Sequence, residues 1–231
     1  MTDKIKKSPA YVSGFKRTAG LFLFVVLLVI VIRTFVLGIY SIPTHSMQPE
    51  LQPGDIVLVS KLYYFFGFPP INDQFSQLRL WYKYPQKGEI IVFNQRDNNQ
   101  ETEYLIKRVA AVPGESVILE NKSVSRFLPE PQMIILPEEG TVINLNPNTA
   151  SLYKELIIKE GNTFINRGNK YLINGKEAES YKFKYSHYYV LGDNSSNSID
   201  SRSFGTVPSR DIIGAAVIKI FGDGAPSMLN F

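Results

Sequence analysis

The hydrophobic residues of this chain follow two different patterns, one before and one after residue 40. From Ala19 to Ile32 the sequence is continuously apolar, Arg33 and a threonine interrupt it, and apolar character returns from Phe35 to Tyr40. A helix that crosses the hydrocarbon core of a bilayer needs about 20 residues. The whole segment from Ala19 to Tyr40 has 22 residues. It can lie in a bilayer if the Arg33 side chain extends to the lipid headgroups. The pattern therefore predicts one transmembrane helix over residues 19–40.

Beyond residue 40 the hydrophobic residues occur in short β-branched and aromatic runs. Most of these runs follow turn signals such as Pro53-Gly54 and Lys87-Gly88, and no apolar stripe with helical spacing is long enough to predict a helix. The runs predict strands at Asp55–Ser60, Glu89–Phe93, Tyr104–Val112, Val117–Leu119, Tyr188–Leu191 and Ile213–Phe221. An all-β domain of antiparallel sheets is therefore expected after the helix.

The positive charge of the chain lies in its N-terminal tail. The formal net charge is +4, and the first 19 residues contain five basic side chains against Asp3 alone. The remainder is neutral, so the charge does not indicate a nucleic-acid surface, and no nucleic-acid partner is expected. Basic residues concentrate on the cytoplasmic side of membrane helices. The tail is therefore predicted to be cytoplasmic, and everything after Tyr40 is predicted to face outward.

The residues that follow the apolar segment do not resemble a processing site. Cleaved leader helices are followed by small residues, whereas Leu37, Ile39 and Tyr40 are bulky. An uncleaved anchor in contact with membrane lipid is therefore expected. Residues from Asn121 to Lys170 combine several prolines with scattered Asn and Glu, which indicates an inserted lobe. The predicted organisation is a basic tail at 1–18, an anchor at 19–40, a β core at 41–120 and 171–231, and an inserted lobe at 121–170.

The composition excludes several kinds of chemistry. The chain contains no cysteine, which excludes disulfides, thiolate metal sites and a cysteine nucleophile. The two histidines, His45 and His187, are far apart and no HExxH motif is present, so no metal site is predicted. No cofactor is expected.

A serine and a lysine stand in segments that suit nucleophilic catalysis. Ser46 lies in Ile42–Asp55 (IPTHSMQPELQPGD), and Lys107 lies in the strand-like run Tyr104–Val109 (YLIKRV). Burial lowers the pKa of a lysine, and a neutral amine can accept the proton of a serine. Because the side chains of a strand alternate, Arg108 is expected to point away from Lys107. The plainer alternatives are a turn serine and a solvated lysine on an edge strand.

A third segment, Gly192–Gly205 (GDNSSNSIDSRSFG), is rich in small hydroxyl and amide side chains. It lacks the Gly-Lys-Ser/Thr of a phosphate loop, and it lacks the central glycine and closing glutamate of an EF-hand. Such a segment is either a polar surface loop or a support for buried polar side chains through many short hydrogen bonds.

Together, the three segments resemble the motif boxes of type I signal peptidases. Arg33-Thr34-Phe35, Pro113-Gly114 and Asn174-Gly175-Lys176 are also similar to this family, and the resemblance covers the chain from the anchor to about Leu119 and from Tyr171 to Phe221. It implies an all-β catalytic domain with the fold shared by signal peptidases and self-cleaving repressors, behind one transmembrane helix. It also implies a serine endopeptidase of the bacterial cytoplasmic membrane that removes signal peptides from exported preproteins.

The same resemblance implies a role for each matching residue. Ser46 resembles the nucleophile and Lys107 the general base, while Thr44 and the backbone N–H of Ser46 would form the oxyanion hole. Ser198 would orient the lysine amine, and an ion-pair network of Arg108, Asp200 and Arg202 would support the site. Shallow apolar pockets that select Ala-x-Ala would be lined by Ile42, Pro43, Met47, Leu51, Val57, Leu105 and Ile106. His45 stands where the family most often has glycine.

Three alternative functions remain open from the sequence. One is a Ser-His-Asp hydrolase that uses Ser46, His187 and either Asp193 or Asp200, since such triads recur on unrelated folds. Another is a self-cleaving repressor, although a membrane segment occupies the place of a DNA-binding domain. The third is an inactive, anchored protein that only binds signal peptides.

Overall fold

A computed structural model describes residues 9–66, 80–81, 83–96, 102–119, 132–168, 170–222 and 226–229. Its helices are α1 Pro9–Val31, which continues as a π-helix over Ile32–Val36, α2 Pro147–Lys159 and α3 Ser201–Phe204, with 3₁₀ turns at Ser195–Asn197 and Ser209–Asp211. The strands are β1 Leu37–Ser41, β2 Ile56–Ser60, β3 Phe65–Phe66, β4 Leu80–Trp81, β5 Ile90–Arg96, β6 Thr102–Ala111, β7 Ser116–Leu119, β8 Gln132–Ile135, β9 Val142–Asn144, β10 Phe164–Arg167, β11 Lys170–Ile173, β12 Lys176–Glu177, β13 Ser180–Lys182, β14 His187–Leu191, β15 Val207–Pro208, β16 Ile212–Phe221 and β17 Ser227–Met228.

The N-terminal helix is apolar and exposed. Its window Arg17–Val36 has a mean hydropathy of 2.8, which makes the helix long and apolar enough to cross a membrane. The helical segment ends at Val36, so the predicted anchor, which extended to residue 40, was too long. Leu37–Ser41 instead forms β1, in which Ile39 lies opposite Leu58 of β2. From the sequence alone, a short apolar run of this kind can be either the end of a helix or the start of a strand. Here the run is a strand because it pairs with β2.

The strands form one large antiparallel sheet with smaller sheets beside it. Within the described residues the large sheet has eight strands in the order β1-β2-β16-β5-β6-β14-β15, with β17 paired to β16. Each strand predicted from the sequence is present, with ends that differ by a few residues. The prediction of an all-β domain with antiparallel sheets behind a single apolar helix is confirmed.

Helix α2 contradicts the expectation that no helix follows the anchor. It begins with a capping box, in which the Asn146 side chain accepts from the backbone N–H of Thr149 and the Thr149 hydroxyl accepts from the N–H of Asn146. Pro147 occupies the first turn, where its missing N–H costs nothing. Three side chains of the helix are buried, so the apolar stripe is too narrow for periodicity to predict it. The capping sequence was the available signal.

Among the described residues, three apolar clusters hold the domain together. The first cluster includes Met47 and Val57 beside strands of the large sheet, and the second includes Phe93 and Tyr188. The third cluster joins Leu156 of α2 to residues of β6, β13 and β14. Complete burial of one such side chain stabilises the fold by about 1.5–3 kcal/mol. Packing therefore continues across the boundaries that the sequence predicted for the inserted lobe at 121–170.

Candidate active site

Ser46 lies in the loop that joins β1 to β2. The base of this loop is closed by backbone hydrogen bonds from Ile42 N to Asp55 O, at 2.9 Å, and from Gly54 N to Ile42 O, at 2.8 Å. Met47 and Leu51 are 0% exposed and belong to the first cluster. These two side chains follow Ser46 in the loop. Because they are packed into the core, they hold the Ser46 backbone in one position.

Lys107 lies near the middle of β6, between strands β5 and β14. Its side chain is enclosed, at 3% exposure, and Nζ donates to Ser46 Oγ at 2.8 Å and to the Ile106 carbonyl oxygen at 2.9 Å. Burial lowers the pKa of Lys107, although the carboxylates of Asp200, Glu103 and Asp193 act in the opposite direction. A lowered pKa increases the neutral fraction of the amine, which is the form that can accept a proton.

The Thr44 hydroxyl completes the immediate surroundings of the serine. Thr44 Oγ1 lies 3.1 Å from Ser46 Oγ, within hydrogen-bond distance. The Ser46 side chain is nearly buried, at 6% exposure, whereas Thr44 is exposed. A hydroxyl group therefore stands at the solvent-exposed side of the serine.

The loop after β14 contacts the serine loop directly. The backbone N–H of Asn194 donates to the Ser46 carbonyl oxygen at 3.0 Å, and Asn194 Nδ2 donates to the His45 carbonyl oxygen at 3.1 Å. A Cβ added at Gly192 would lie 2.5 Å from the Ser46 carbonyl oxygen and would overlap Ser198 Oγ. Neither Gly192 nor Asn194 was predicted as a positioning residue from the sequence. The only sequence signal for these two residues was that they lie at the start of the polar segment Gly192–Gly205.

Ion pairs of Arg202 and Arg108, two of the predicted supporting residues, stabilise this loop. Asp200 is fully buried and pairs with Arg202, with Arg202 Nη2 and Asp200 Oδ2 2.7 Å apart. Burial alone would raise the pKa of Asp200, but hydrogen bonds from Arg202 and from the Gly192 N–H lower it. Arg108 forms a bidentate pair with Asp193, at 2.8 Å for each bond. Asp193 was considered only as a triad acid, so its structural role was missed.

Arg108 and Lys107 point to opposite faces of β6, as strand alternation predicted. Lys107 reaches Ser46, whereas Arg108 reaches Asp193 and donates to the Gly88 carbonyl oxygen at 2.8 Å. The guanidinium is therefore not in contact with the lysine amine, and burial, not a neighbouring cation, lowers the pKa of Lys107.

Ser198 does not make the predicted hydrogen bond to Lys107. Its hydroxyl oxygen is buried and lies close enough to the Asp200 carboxylate to help lower the pKa of that group. The side chain instead packs against Gly192, since a Cβ at that glycine would overlap it. Ser198 thus fills the space beside the serine loop in this structure.

The predicted pocket residues do not form one continuous lining. Ile42, Met47, Leu51 and Val57 belong to the first cluster, with Ile106 packed against it. Leu105 packs against the second cluster, because adjacent residues of a strand point to opposite faces. Pro43 is exposed. The four residues of the first cluster are at most 2% exposed, so they form the packed base beneath the serine loop.

His187 lies in a separate buried polar cluster. Its Nδ1 is 2.8 Å from Thr206 Oγ1 and its Nε2 is 3.3 Å from Glu160 Oε1. Glu160 also accepts from the Tyr181 hydroxyl and from the backbone N–H of Tyr185. Both ring nitrogens of His187 are engaged away from Ser46, so the Ser-His-Asp alternative has no geometric support. Within the described ranges, no group of three or more potential ligands is arranged for a metal ion.

We expect the stability of the domain to fall as the pH is lowered from about 7 to about 5. His187 is completely buried, and burial lowers its pKa, although Glu160 acts in the opposite direction. Below an ordinary histidine pKa of about 6.5, the unfolded chain binds a proton that the folded domain does not. The free energy of unfolding then decreases by up to about 1.4 kcal/mol per pH unit. Melting temperature measured against pH tests this expectation.

The other histidine provides the matched control for this measurement. His45 is exposed, so His45→Ala should leave the pH dependence of the melting temperature unchanged. His187→Gln should lower the melting temperature at neutral pH and flatten its decline on acidification. An equally steep decline in both variants would assign the effect to other groups.

The geometry of Ser46 and Lys107 is consistent with one class of protein. A buried serine hydroxyl in contact with a buried lysine amine is one of the arrangements that recur among serine hydrolases on unrelated folds. The family model described as signal peptidase, peptidase S26, matches residues 15–221, and the chain belongs to this family of serine-type endopeptidases.

Several curated relatives support this assignment. A Signal peptidase I from Buchnera aphidicola subsp. Baizongia pistaciae is 31% identical, over 92% of this chain and 79% of the relative. A Signal peptidase I from Pseudomonas aeruginosa is 28% identical, over 99% of this chain and 78% of its own length. One from Aquifex aeolicus is 28% identical, over 92% and 86% respectively. The similarity therefore includes the N-terminal helix as well as the β domain.

Proposed function

We propose that this protein is a membrane-anchored endopeptidase that removes N-terminal signal peptides from exported preproteins. The observation that carries the proposal is the 2.8 Å separation of Lys107 Nζ and Ser46 Oγ, both in nearly buried side chains. The substrate class follows from the relatives, which are named Signal peptidase I.

In the proposed reaction, Ser46 Oγ attacks the carbonyl carbon of the scissile bond and Lys107 Nζ accepts the hydroxyl proton. The neutral amine donates an N–H to the Ile106 carbonyl oxygen, 2.9 Å away, which leaves its lone pair free to face the hydroxyl. Thr44 and the Ser46 backbone N–H stabilise the oxyanion, and one such donor contributes about 10²–10³ in rate. Lys107 then protonates the leaving amine, and water hydrolyses the acyl-enzyme by the same route.

The remaining polar residues act by holding the serine loop in place. Asp200 and Arg202 fix the segment that carries Gly192, and Arg108 fixes Asp193, next to the Asn194 N–H that contacts Ser46. We infer that these residues set the position of the nucleophile and do not contact the reacting atoms.

The substrate is proposed to bind as an added extended strand and to be cut after Ala-x-Ala. Strand addition supplies main-chain hydrogen bonds, while side-chain pockets supply specificity. The apolar residues beneath Ser46 are already packed, with Met47 and Leu51 at 0% exposure, so little depth remains for a large side chain. Small residues therefore fit best beside the serine.

The helix α1 is proposed to anchor the protein in the bacterial cytoplasmic membrane, with the basic tail inside and the catalytic domain outside. The apolar window Arg17–Val36 spans 20 residues, and none of them is buried. The excess of basic residues before it gives the orientation. In this orientation the active site faces preproteins as they emerge from the membrane.

Incubation of the detergent-solubilised full-length protein with a model preprotein tests the proposal. Sequencing of the product N-terminus reports activity and cleavage position in one experiment. The expected product begins directly after an Ala-x-Ala site, and Ser46→Ala should give no product. Absence of cleavage by the wild-type protein would reject the proposed function, and cleavage elsewhere would reject the proposed specificity.

The cleavage rate is expected to rise with pH through the pKa of Lys107. Below this pKa the amine is protonated and accepts no proton from Ser46, whereas above it the neutral amine is available. Because burial lowers the pKa of Lys107, the rise should occur at lower pH than for a solvated lysine. The pH profile of kcat/KM measures this, and a rate that is constant from weakly acidic to alkaline pH would contradict a lysine base.

A further inference from the structure

Lys61 joins the apolar helix to the large sheet. It follows β2 directly, and its backbone N–H donates to the Val36 carbonyl oxygen, the last residue of the π-helix, at 2.8 Å. Its side chain continues along the helix end, where Nζ donates to the carbonyl oxygens of Arg33 and Thr34, each at 3.0 Å. One residue thus makes three hydrogen bonds to the last turn of the helix.

These bonds satisfy groups that the helix itself leaves without partners. The last carbonyl groups of a helix lack intrahelical donors and carry the negative end of the helix dipole, so a cation at this position is favourable. The Lys61 ammonium supplies donors to two of these carbonyl groups.

The stem of Lys61 is also packed against the start of the sheet. A Cβ added at Gly38 would lie 3.4 Å from Lys61 Cε and 2.6 Å from the Tyr40 ring. The absence of a side chain at Gly38 therefore leaves room for the lysine stem beside β1. Lys61 is partly buried, and burial lowers its pKa, with a further contribution from Arg33.

The same residue closes the hairpin that carries Ser46. β1 begins directly after the helix, the serine loop follows, and β2 returns to Lys61, with Leu37 paired to Ser60. A five-residue strand is about 17 Å long. No linker separates the end of the helix from β1. The hydrogen bonds of Lys61 therefore fix the helix end to the same paired hairpin that carries the serine loop.

We propose that Lys61 is a positioning residue, which clamps the membrane helix to the catalytic sheet and so holds the active site at a defined height and angle above the membrane. The consequence for catalysis rests on the proposed function, since it concerns substrates that are themselves held in the membrane. A signal peptide that spans the bilayer presents its cleavage site at one height. A short soluble peptide can instead reach the serine in any orientation of the domain.

The kinetic test compares two substrates for each variant, in lipid vesicles that contain the full-length protein. Lys61→Met keeps the stem and removes the ammonium, Lys61→Arg keeps the charge, and Lys176→Met removes an exposed lysine on β12 as the control. For Lys61→Met we expect kcat/KM on a membrane-inserted preprotein to fall at least about tenfold, with cleavage of a short soluble peptide within about twofold of wild type. Lys61→Arg should recover most of the loss, and Lys176→Met should show none.

Equal losses on both substrates would overturn the proposal, because Lys61 would then support the site itself. Unchanged cleavage of both substrates would also overturn it. Cleavage of neither substrate by the wild-type protein would instead reject the proposed function, and a structural measurement then decides the clamp separately.

The structural measurement uses spin labels on the full-length protein in lipid nanodiscs. The chain has no cysteine, so Gly20→Cys on α1 and Ser180→Cys on β13 provide two labelling sites without background. We expect a narrow distance distribution in the wild-type background and a distribution at least twice as broad with Lys61→Met. An unchanged width would overturn the clamp, whatever the catalytic result.

Discussion

Replacement of Lys107 with methionine is expected to lower kcat for preprotein cleavage by about 10²–10⁴-fold, the range that a positioned general base supplies. Methionine retains much of the length of the side chain, so it should fill the space between β6 and the serine loop. The Ser46 hydroxyl would keep its position but lose the group that takes its proton, 2.8 Å away. Single-turnover cleavage of a preprotein, with the melting temperature measured alongside, separates lost chemistry from lost folding.

Two variants serve as controls for Lys107→Met. Lys87→Met removes an exposed lysine, with a side chain 63% exposed, and should leave cleavage unchanged. His187→Ala is expected to lower the melting temperature, because it leaves Thr206 and Glu160 each without one partner, yet to retain cleavage per folded molecule. Full activity of Lys107→Met, or complete loss in folded His187→Ala, would reject the lysine mechanism and favour the triad alternative.

Gly192→Ala is expected to lower kcat/KM by about 10²-fold, although residue 192 carries no reactive group. The added Cβ would lie 2.5 Å from the Ser46 carbonyl oxygen, so the serine loop or the loop after β14 must move. Displacement of a nucleophile by about 1 Å can cost 10²-fold in rate. Overpacking of this kind also costs about 1–3 kcal/mol of stability. Steady-state kinetics and a denaturant melt measure the two effects.

Gly20→Ala is the matched control for this substitution, because no described atom outside its chain neighbours and its own helix backbone lies within 4 Å of the Cβ that it would add. It should change neither activity nor stability of the β domain. Combining Gly192→Ala with Ser198→Gly removes one of the two overlaps, so partial recovery of activity is expected. Wild-type activity in Gly192→Ala would show that the contact between the two loops does not position Ser46.

Local sequence signals predicted those parts of the molecule in which neighbouring residues determine the structure. The apolar run before residue 36 and the alternating runs at β2, β5, β6, β14 and β16 follow from period and turn residues. Helix α2 was missed because its stability comes from a capping box at Asn146 and a few contacts with the third cluster, not from a broad stripe. Ser46 and Lys107 were recognised through the motifs around them.

The candidate site required contacts between segments that are distant in the sequence. Asp193 was identified as the partner of Arg108, and Ser198 as a packing residue beside Gly192, only when β14 was placed next to β6. Leu105 and Ile106 are neighbours in the sequence but pack against different clusters. This difference also depends on the tertiary structure, because the two clusters cover opposite faces of β6.

The amino-acid sequence by itself determined the apolar helix, the antiparallel strands and the chemical identity of the serine and lysine, because these depend on residue type and short-range period. Tertiary structure alone decided that the Lys107 amine lies against Ser46, that Gly192 must lack a side chain, and that Lys61 reaches the end of the helix. The physical reason is that burial and hydrogen bonding depend on which strands pair, and pairing brings together residues as distant in the sequence as Ile56 and Phe221.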